Sequence, residues 1–170
     1  KNMRFIADLH IHSHYSMATS KQLNPVFLDY WARIKGIKVV GTGDITHPAW
    51  LAELKEQLEP AEPGLFRLKD AMRLPIEEMP HVDHEVRFVL SGEISSIYKD
   101  QGKTRKVHTI VLLPDFNVAD KLQKQMQLLQ LNIMSDGRPI IGMSAKDVLS
   151  LCLEVSDESF VIPAHIWTPW

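Results

Sequence analysis

Five strand-length apolar runs in this chain each begin or end on a histidine or a carboxylate, and this repetition constrains the fold more than any other feature. Phe5-Ile6-Ala7 leads into Asp8-Leu9-His10-Ile11-His12-Ser13, and Ile37-Lys38-Val39-Val40 leads into Gly41-Thr42-Gly43-Asp44. Val86-Arg87-Phe88-Val89-Leu90 leads into Ser91-Gly92-Glu93, the run from Val107 to Leu113 carries His108, and Phe160-Val161-Ile162-Pro163-Ala164 delivers His165. One such placement is a coincidence. Five are the pattern of a β/α barrel, where functional groups gather at the carboxyl ends of parallel strands.

The first run reads as a buried strand, and side chains alternate along a strand, so Asp8, His10 and His12 are expected to point one way. Two imidazoles about 7 Å apart suit one or two borderline-soft divalent cations, with Asp8 placed to orient a ring from behind. A His-x-His by itself equally describes two exposed histidines at a strand end. Taken singly, Glu93 could be a hairpin surface charge, His108 a satisfied histidine within a strand, and Asp44 a turn or helix-start residue. As a set with His165 they make a candidate metal cluster. His47 before Pro48 reads as a helix-start residue, and His14, His81 and His84 read as surface or loop histidines.

Between the strands the periodicity changes from 2 to 3.6. Asn24 and Pro25 start a helix with Val26, Phe27, Tyr30, Trp31 and Ile34 on one face, and Gly36 ends it. Pro48 opens a second helix that carries Trp50, Leu51, Leu54 and Leu58 and ends before Pro60. The order βαβα implies parallel strands. Residues 59–85 hold Pro60, Pro63, Gly64, Pro75 and Pro80 without a sustained period and are expected to form a long excursion loop, a lid or a mobile segment. Ile94 to Tyr98 and the strand from Thr104 flank a hairpin turn with Gly102 suited to positive φ. Asn117 is expected to cap a helix with Val118, Leu122, Met126 and Leu129 inward. Ser144 with Asp147 is expected to cap the next, which carries Cys152.

At 170 residues and 45% apolar content the chain can bury a core, but a complete β/α barrel usually takes more than about 200 residues. The expectation is an incomplete barrel, with residues 1–170 as the amino-terminal part of one domain. A net charge of −2 offers no global attraction to nucleic acid or an anionic membrane, so such binding must be local. The single cysteine excludes a disulfide or a cysteine-rich zinc module within these residues. No signal segment and no run of about 18 apolar residues is visible, which makes a soluble cytoplasmic protein the default.

With these residues located, the pattern resembles the polymerase and histidinol phosphatase (PHP) superfamily of metal-dependent phosphoesterases. The residues that carry the resemblance are Asp8 to Ser13, Gly92-Glu93, Val107-His108-Thr109 and Pro163-Ala164-His165. Within that superfamily, Val39 to Asp44, Gly137-Arg138-Pro139 and the string from Pro163 to Trp170 look like the endonuclease Q family, over nearly the whole chain. The resemblance implies a seven-stranded β/α barrel of the PHP type, with His10, His12, Asp44, Glu93, His108 and His165 as metal ligands and therefore as the catalytic set. It implies two or three divalent ions, zinc first, with manganese, iron or magnesium as alternatives. It also implies cleavage of DNA on the 5′ side of a deaminated base such as hypoxanthine, uracil or xanthine, with the base flipped out of the duplex to be read.

Three departures accompany it. Asp44 stands where many superfamily members have a histidine. The stretch Tyr15-Ser16-Met17-Ala18-Thr19 shows no equivalent of a further ligand after His12, and the superfamily's final Asp-x-His motif is not found before Trp170. The rival readings are a small-molecule phosphomonoesterase resembling histidinol phosphatase, and a non-catalytic PHP module that supports nucleic-acid binding. Lys99, Lys103, Arg105 and Lys106 read either as phosphate-backbone contacts or as a solvated hairpin tip. Trp167 and Trp170 read as packing at the barrel mouth or as stacking platforms, packing being the commoner use.

Overall fold

A computed structural model describes residues 4–77 and 84–168; Pro80, His81 and Trp170 lie outside the described residues. In chain order the elements are β1 (Ile6–Asp8), α1 (Pro25–Lys35), β2 (Ile37–Gly41), α2 (Pro48–Gln57), β3 (Leu58–Pro60), β4 (Phe66–Leu68), β5 (Arg87–Asp100), β6 (Lys103–Leu113), α3 (Phe116–Leu128), β7 (Ile140–Ile141), α4 (Ala145–Val155) and β8 (Phe160–Pro163). β1 pairs parallel with β2, and β2 pairs parallel with β5. β6 is antiparallel to both β5 and β8, so β8 runs in the same direction as β1, β2 and β5. They therefore point toward one rim, past which β5 continues. The sheet is mixed α/β and curls into a half-barrel.

The helices start where the sequence supplies donors' partners. The Asn24 side chain accepts from the Phe27 N–H at 3.0 Å ahead of Pro25, and Gly36 closes α1 in the left-handed region at φ 72°. Ser144 and Asp147 form a reciprocal capping box on α4. α3 begins earlier than expected, because Asp115 rather than Asn117 accepts from the Val118 N–H, at 2.8 Å. α1 packs on α2, α2 on α3 and α3 on α4. The core beneath them holds Trp50, Leu54, Phe88, Leu90, Ile94, Leu122, Met126, Val148 and Cys152. Burial pushes the Cys152 thiol up to about 12, which leaves it a packing residue. Among the described residues no helix is long and apolar enough to cross a membrane.

Three expectations need correction. The described residues within 59–85 are not a featureless loop: β3 and β4 form a hairpin that joins β5 through Phe66 and Phe88, and Asp70–Met72 is a 3₁₀ turn. Buried Phe66 and Leu68 anchor the hairpin, and Pro60 sits in an edge strand, where its missing N–H removes no ladder bond. Arg87–Leu90 and Ile94–Tyr98, read as parts of two strands, belong to the single 14-residue β5, which Val86 precedes. Gly92 within it lies close against Ile45, and its missing side chain lets the strand run on past the rim. The first run is not buried: Phe5 is 56% and Ile6 60% exposed. Among the described residues, β1 pairs only with β2.

Candidate metal centre

Glu93, in the middle of β5, is the hub. Its carboxylate is 1% exposed and meets four imidazoles, two on each oxygen. Oε2 lies 3.2 Å from His10 Nε2 and 3.1 Å from His12 Nε2; Oε1 lies 2.7 Å from His108 Nδ1 and 3.1 Å from His165 Nε2. His108 Nδ1 and His165 Nε2 are themselves 3.2 Å apart, so at most one of these nitrogens carries a proton between them. Burial alone would push the Glu93 carboxyl up, but hydrogen bonds from His12, His10 and His165 outweigh it and hold the group well below the usual carboxylate range. Burial pushes His108 down, which favours the neutral imidazole.

The candidate ligands arrive on four separate parts of the chain. β1 ends at Asp8, so His10 and His12 stand on the segment after it rather than on the strand. His108 faces inward from β6, the Ala164 N–H donates to the His108 carbonyl at 3.0 Å, and His165 follows β8 with φ 33°. One ligand atom each from His10, Glu93 and His165 falls within 4.8 Å of the others, and the His10 and His165 rings stack at 5.6 Å. Three or four nitrogen donors around one carboxylate fit a divalent cation of the zinc, manganese or iron type.

Asp44 joins the group differently. It is fully buried, and its Oδ1 faces His12 Nδ1 at 3.0 Å. Oδ2 accepts from the Ser13 N–H at 2.7 Å, the Ser13 hydroxyl at 2.7 Å and the Ser16 hydroxyl at 2.8 Å. With both oxygens engaged, Asp44 holds the far side of the His12 ring, leaving Nε2 aimed at Glu93. This is the orienting task that the sequence suggested for Asp8, whose Oδ1 instead accepts from the His10 N–H at 3.4 Å. The backbone explains the Gly-Thr-Gly-Asp string. Gly43 adopts φ 65° with the Ile11 carbonyl so close that a Cβ would overlap it, and Asp44 follows at φ 50°, a region aspartate tolerates.

All six expected residues therefore converge, Asp44 through His12. The other described histidines separate from them: His14 pairs with Glu53 at 2.8 Å, His47 caps α2, and His84 faces the Ile37 carbonyl at 3.0 Å. Trp167 does not pack; it is 92% exposed. Four participants were missed. Ser13 and Ser16 bond to Asp44, and the latter lies in the stretch that offered no ligand. Gly137 packs against Asp44, and Arg138 brings Nη1 to 3.7 Å from Glu93 Oε2. Their only sequence signal is Ser13 within the His-x-His-Ser string and the Gly-Arg-Pro string.

The His12 imidazole, hydrogen-bonded to Asp44 and then Glu93, is raised to about 9. In metal-free protein this contribution to stability is complete below the ordinary value of 6.5 and is lost as pH rises through about 9. Thermal melts in chelator are expected to show a falling Tm across that interval, and His12→Gln is expected to remove the fall. Identical pH dependence in the two proteins would contradict the raised value.

The solved structures that this chain resembles are of endonuclease Q. No protein-family model matches the chain. The crystal structure of the lesion-specific endonuclease PfuEndoQ from Pyrococcus furiosus aligns with a TM-score of 0.75 at 30% identity, covering 96% of this chain and 35% of that one. A structure of endonuclease Q with a 27-mer duplex substrate, bearing an abasic lesion at the active site, aligns with the same values. An uncharacterized protein of Methanocaldococcus jannaschii is 27% identical over 162 residues, 95% of this chain and 16% of the relative. The chain is endonuclease Q-like in fold, and it spans about a third of the length of those solved structures.

Proposed function

We propose that this chain carries the metal-binding part of a PHP-type DNA repair endonuclease, which cleaves a phosphodiester on the 5′ side of a deaminated base. The observation that carries the reading is the convergence of four imidazoles on buried Glu93 at the shared rim, in a chain 30% identical to a lesion-specific endonuclease. His10, His12, Glu93, His108 and His165 would hold the two or three divalent cations. Asp44 would act from behind His12, as hydrogen-bonding carboxylates do for ligating histidines. Divalent cations bound there supply Lewis-acid charge and bring water toward ionisation near neutral pH.

The remaining steps belong to the protein's own groups. Asp44 fixes the tautomer of His12 so that Nε2 faces inward. Arg138 is 39% exposed at the side chain, and its guanidinium, beside Glu93, can meet a phosphate oxygen with paired N–H donors. The rim is open: the His10 and His165 side chains are 36% and 34% exposed. An open rim suits a polymer chain better than the closed pocket a small phosphomonoester requires. A deaminated base has its pairing edge hidden in a duplex, so recognition requires flipping, which costs least at a mispair.

The test uses full-length protein with His10 and His12 both replaced by alanine. Elemental analysis is expected to show loss of bound metal, and a duplex with one deoxyinosine is expected to stay intact while the parent cuts it. Circular dichroism should match the parent, because both side chains lie at a solvent-facing rim. If a folded double variant cuts at the parental rate, the metal-centre reading is wrong. If the parent hydrolyses only small phosphomonoesters, the phosphatase rival replaces the endonuclease.

A further inference from the structure

The turn that follows His165 has the wrong residues for a surface turn. The Thr168 N–H donates to the His165 carbonyl at 3.0 Å, which makes Ile166 and Trp167 the two corner residues of a β-turn. Such corners are ordinarily taken by Gly, Pro, Asn, Asp or Ser, which suit the backbone there. Here they are two bulky apolar groups, and Ile166 is 65% and Trp167 92% exposed. Trp167 is the most exposed large apolar side chain among the described residues. Neither core packing nor turn geometry accounts for it.

The turn is fixed to the metal centre at its first residue. Pro163 in β8 pairs with Thr109 in β6, the Ala164 N–H donates to the His108 carbonyl, and His165 Nε2 reaches Glu93 Oε1 at 3.1 Å. The ends of a β-turn stay within about 7 Å of each other, so Trp167 cannot leave the neighbourhood of the candidate ligand. That span is about two nucleotide steps, at roughly 3.4 Å of helix axis per step. A side chain with nearly all of its surface free is not the wall of a pocket. It is a projection, and it buries its apolar area only by entering something else.

We infer that Trp167, with Ile166 beside it, is a wedge that enters the duplex next to the metal centre and fills the gap left in the stack when the target base swings out. The inference rests on the DNA reading proposed above and adds which residues hold the extruded state open. Turning a base out of a duplex costs its stacking and pairing. Apolar side chains inserted at a base step offset part of that cost, and an indole offers the flat face on which neighbouring bases stack. Every base has such a face, so the wedge serves whichever lesion is turned out and reads none of them. Its attachment to His165 keeps the gap beside the phosphate that the centre would cut.

The test compares paired with unpaired DNA. Full-length parent, W167A, W167F and L128A are titrated in chelator with a fluorescent duplex containing one deoxyinosine, and with the same labelled strand alone. W167A is expected to bind the duplex roughly tenfold or more weakly, the size of one lost aromatic–base stack. The single strand has no duplex stack to hold open, so there W167A is expected to stay within about twofold of the parent. W167F keeps an aromatic face and is expected to recover most of the loss on the duplex. L128A removes another exposed apolar group, on α3, and is expected to match the parent on both DNAs. Elemental analysis of metal-loaded W167A should give the parental metal content, which an effect passed through His165 would not. Equal losses on duplex and single strand, no loss on the duplex, a matching loss in L128A or a loss of bound metal would each overturn the wedge. A parent that binds neither DNA would overturn it together with the DNA reading. If the duplex-specific loss is found yet the parent does not cut DNA in metal, the wedge stands and the endonuclease reading falls.

Discussion

Glu93→Gln in the full-length protein is expected to lose most of its bound metal and to slow DNA cleavage by about a thousandfold or more. The size follows from position: one carboxylate carries the contacts of His10, His12, His108 and His165, so removing its charge affects every candidate ligand pair at once. Loss of a single preorganised electrostatic partner already costs on the order of 10²–10³ in rate. Glutamine keeps the shape and one acceptor oxygen, so folding should survive. The expected cost to metal-free protein is about 1.5–3 kcal/mol, the range of a hydrogen bond to a charged group. Elemental analysis, single-turnover cleavage of a deoxyinosine duplex and a denaturant titration measure the three quantities. Parental metal content with parental cleavage would remove Glu93 from the centre.

The candidate ligands were legible because their chemistry is local. His-x-His and the polar ends of apolar runs can be recognised residue by residue, and the barrel-like order gave a reason for them to meet. Less visible was what depends on tertiary approach. Asp44 sits among Ser13 and Ser16 only once the segment after β1 folds over Gly43, and no spacing rule connects residues so far apart. Arg138 stood out only within the Gly-Arg-Pro string, yet the Ser95 N–H bonds the Pro139 carbonyl at 2.9 Å and brings the arginine to the rim. The β3–β4 hairpin was hidden because two prolines and a glycine read as a loop, whereas the burial of Phe66 against Phe116 and of Leu68 decides its structure. β5 was divided in the sequence reading because Ser91-Gly92 resembled a strand end, although a glycine within a strand also marks close backbone approach.

Gly137→Ala is expected to damage both stability and chemistry without altering any candidate ligand. The Gly137 N–H donates to the Tyr15 carbonyl at 3.0 Å, which fixes the loop against the segment that follows His12. A methyl group at Gly137 would overlap the Asp44 carboxylate and press on the Ser16 hydroxyl. Asp44 cannot retreat, because both of its oxygens are engaged and it is fully buried. Overpacking of this kind costs about 1–3 kcal/mol where neighbours can shift. Displacing Asp44 also removes the partner that orients His12, and losses of such partners lower metal affinity by about 10–100-fold. Denaturant titration should therefore report the destabilisation, and competition with a chromogenic chelator should report weakened metal binding. Gly142→Ala, where a Cβ meets nothing within 4 Å, is the matching control and is expected to change neither. If Gly137→Ala binds metal as tightly as the parent, the Asp44 carboxylate does not govern the His12 ring, and the centre is held by Glu93 alone.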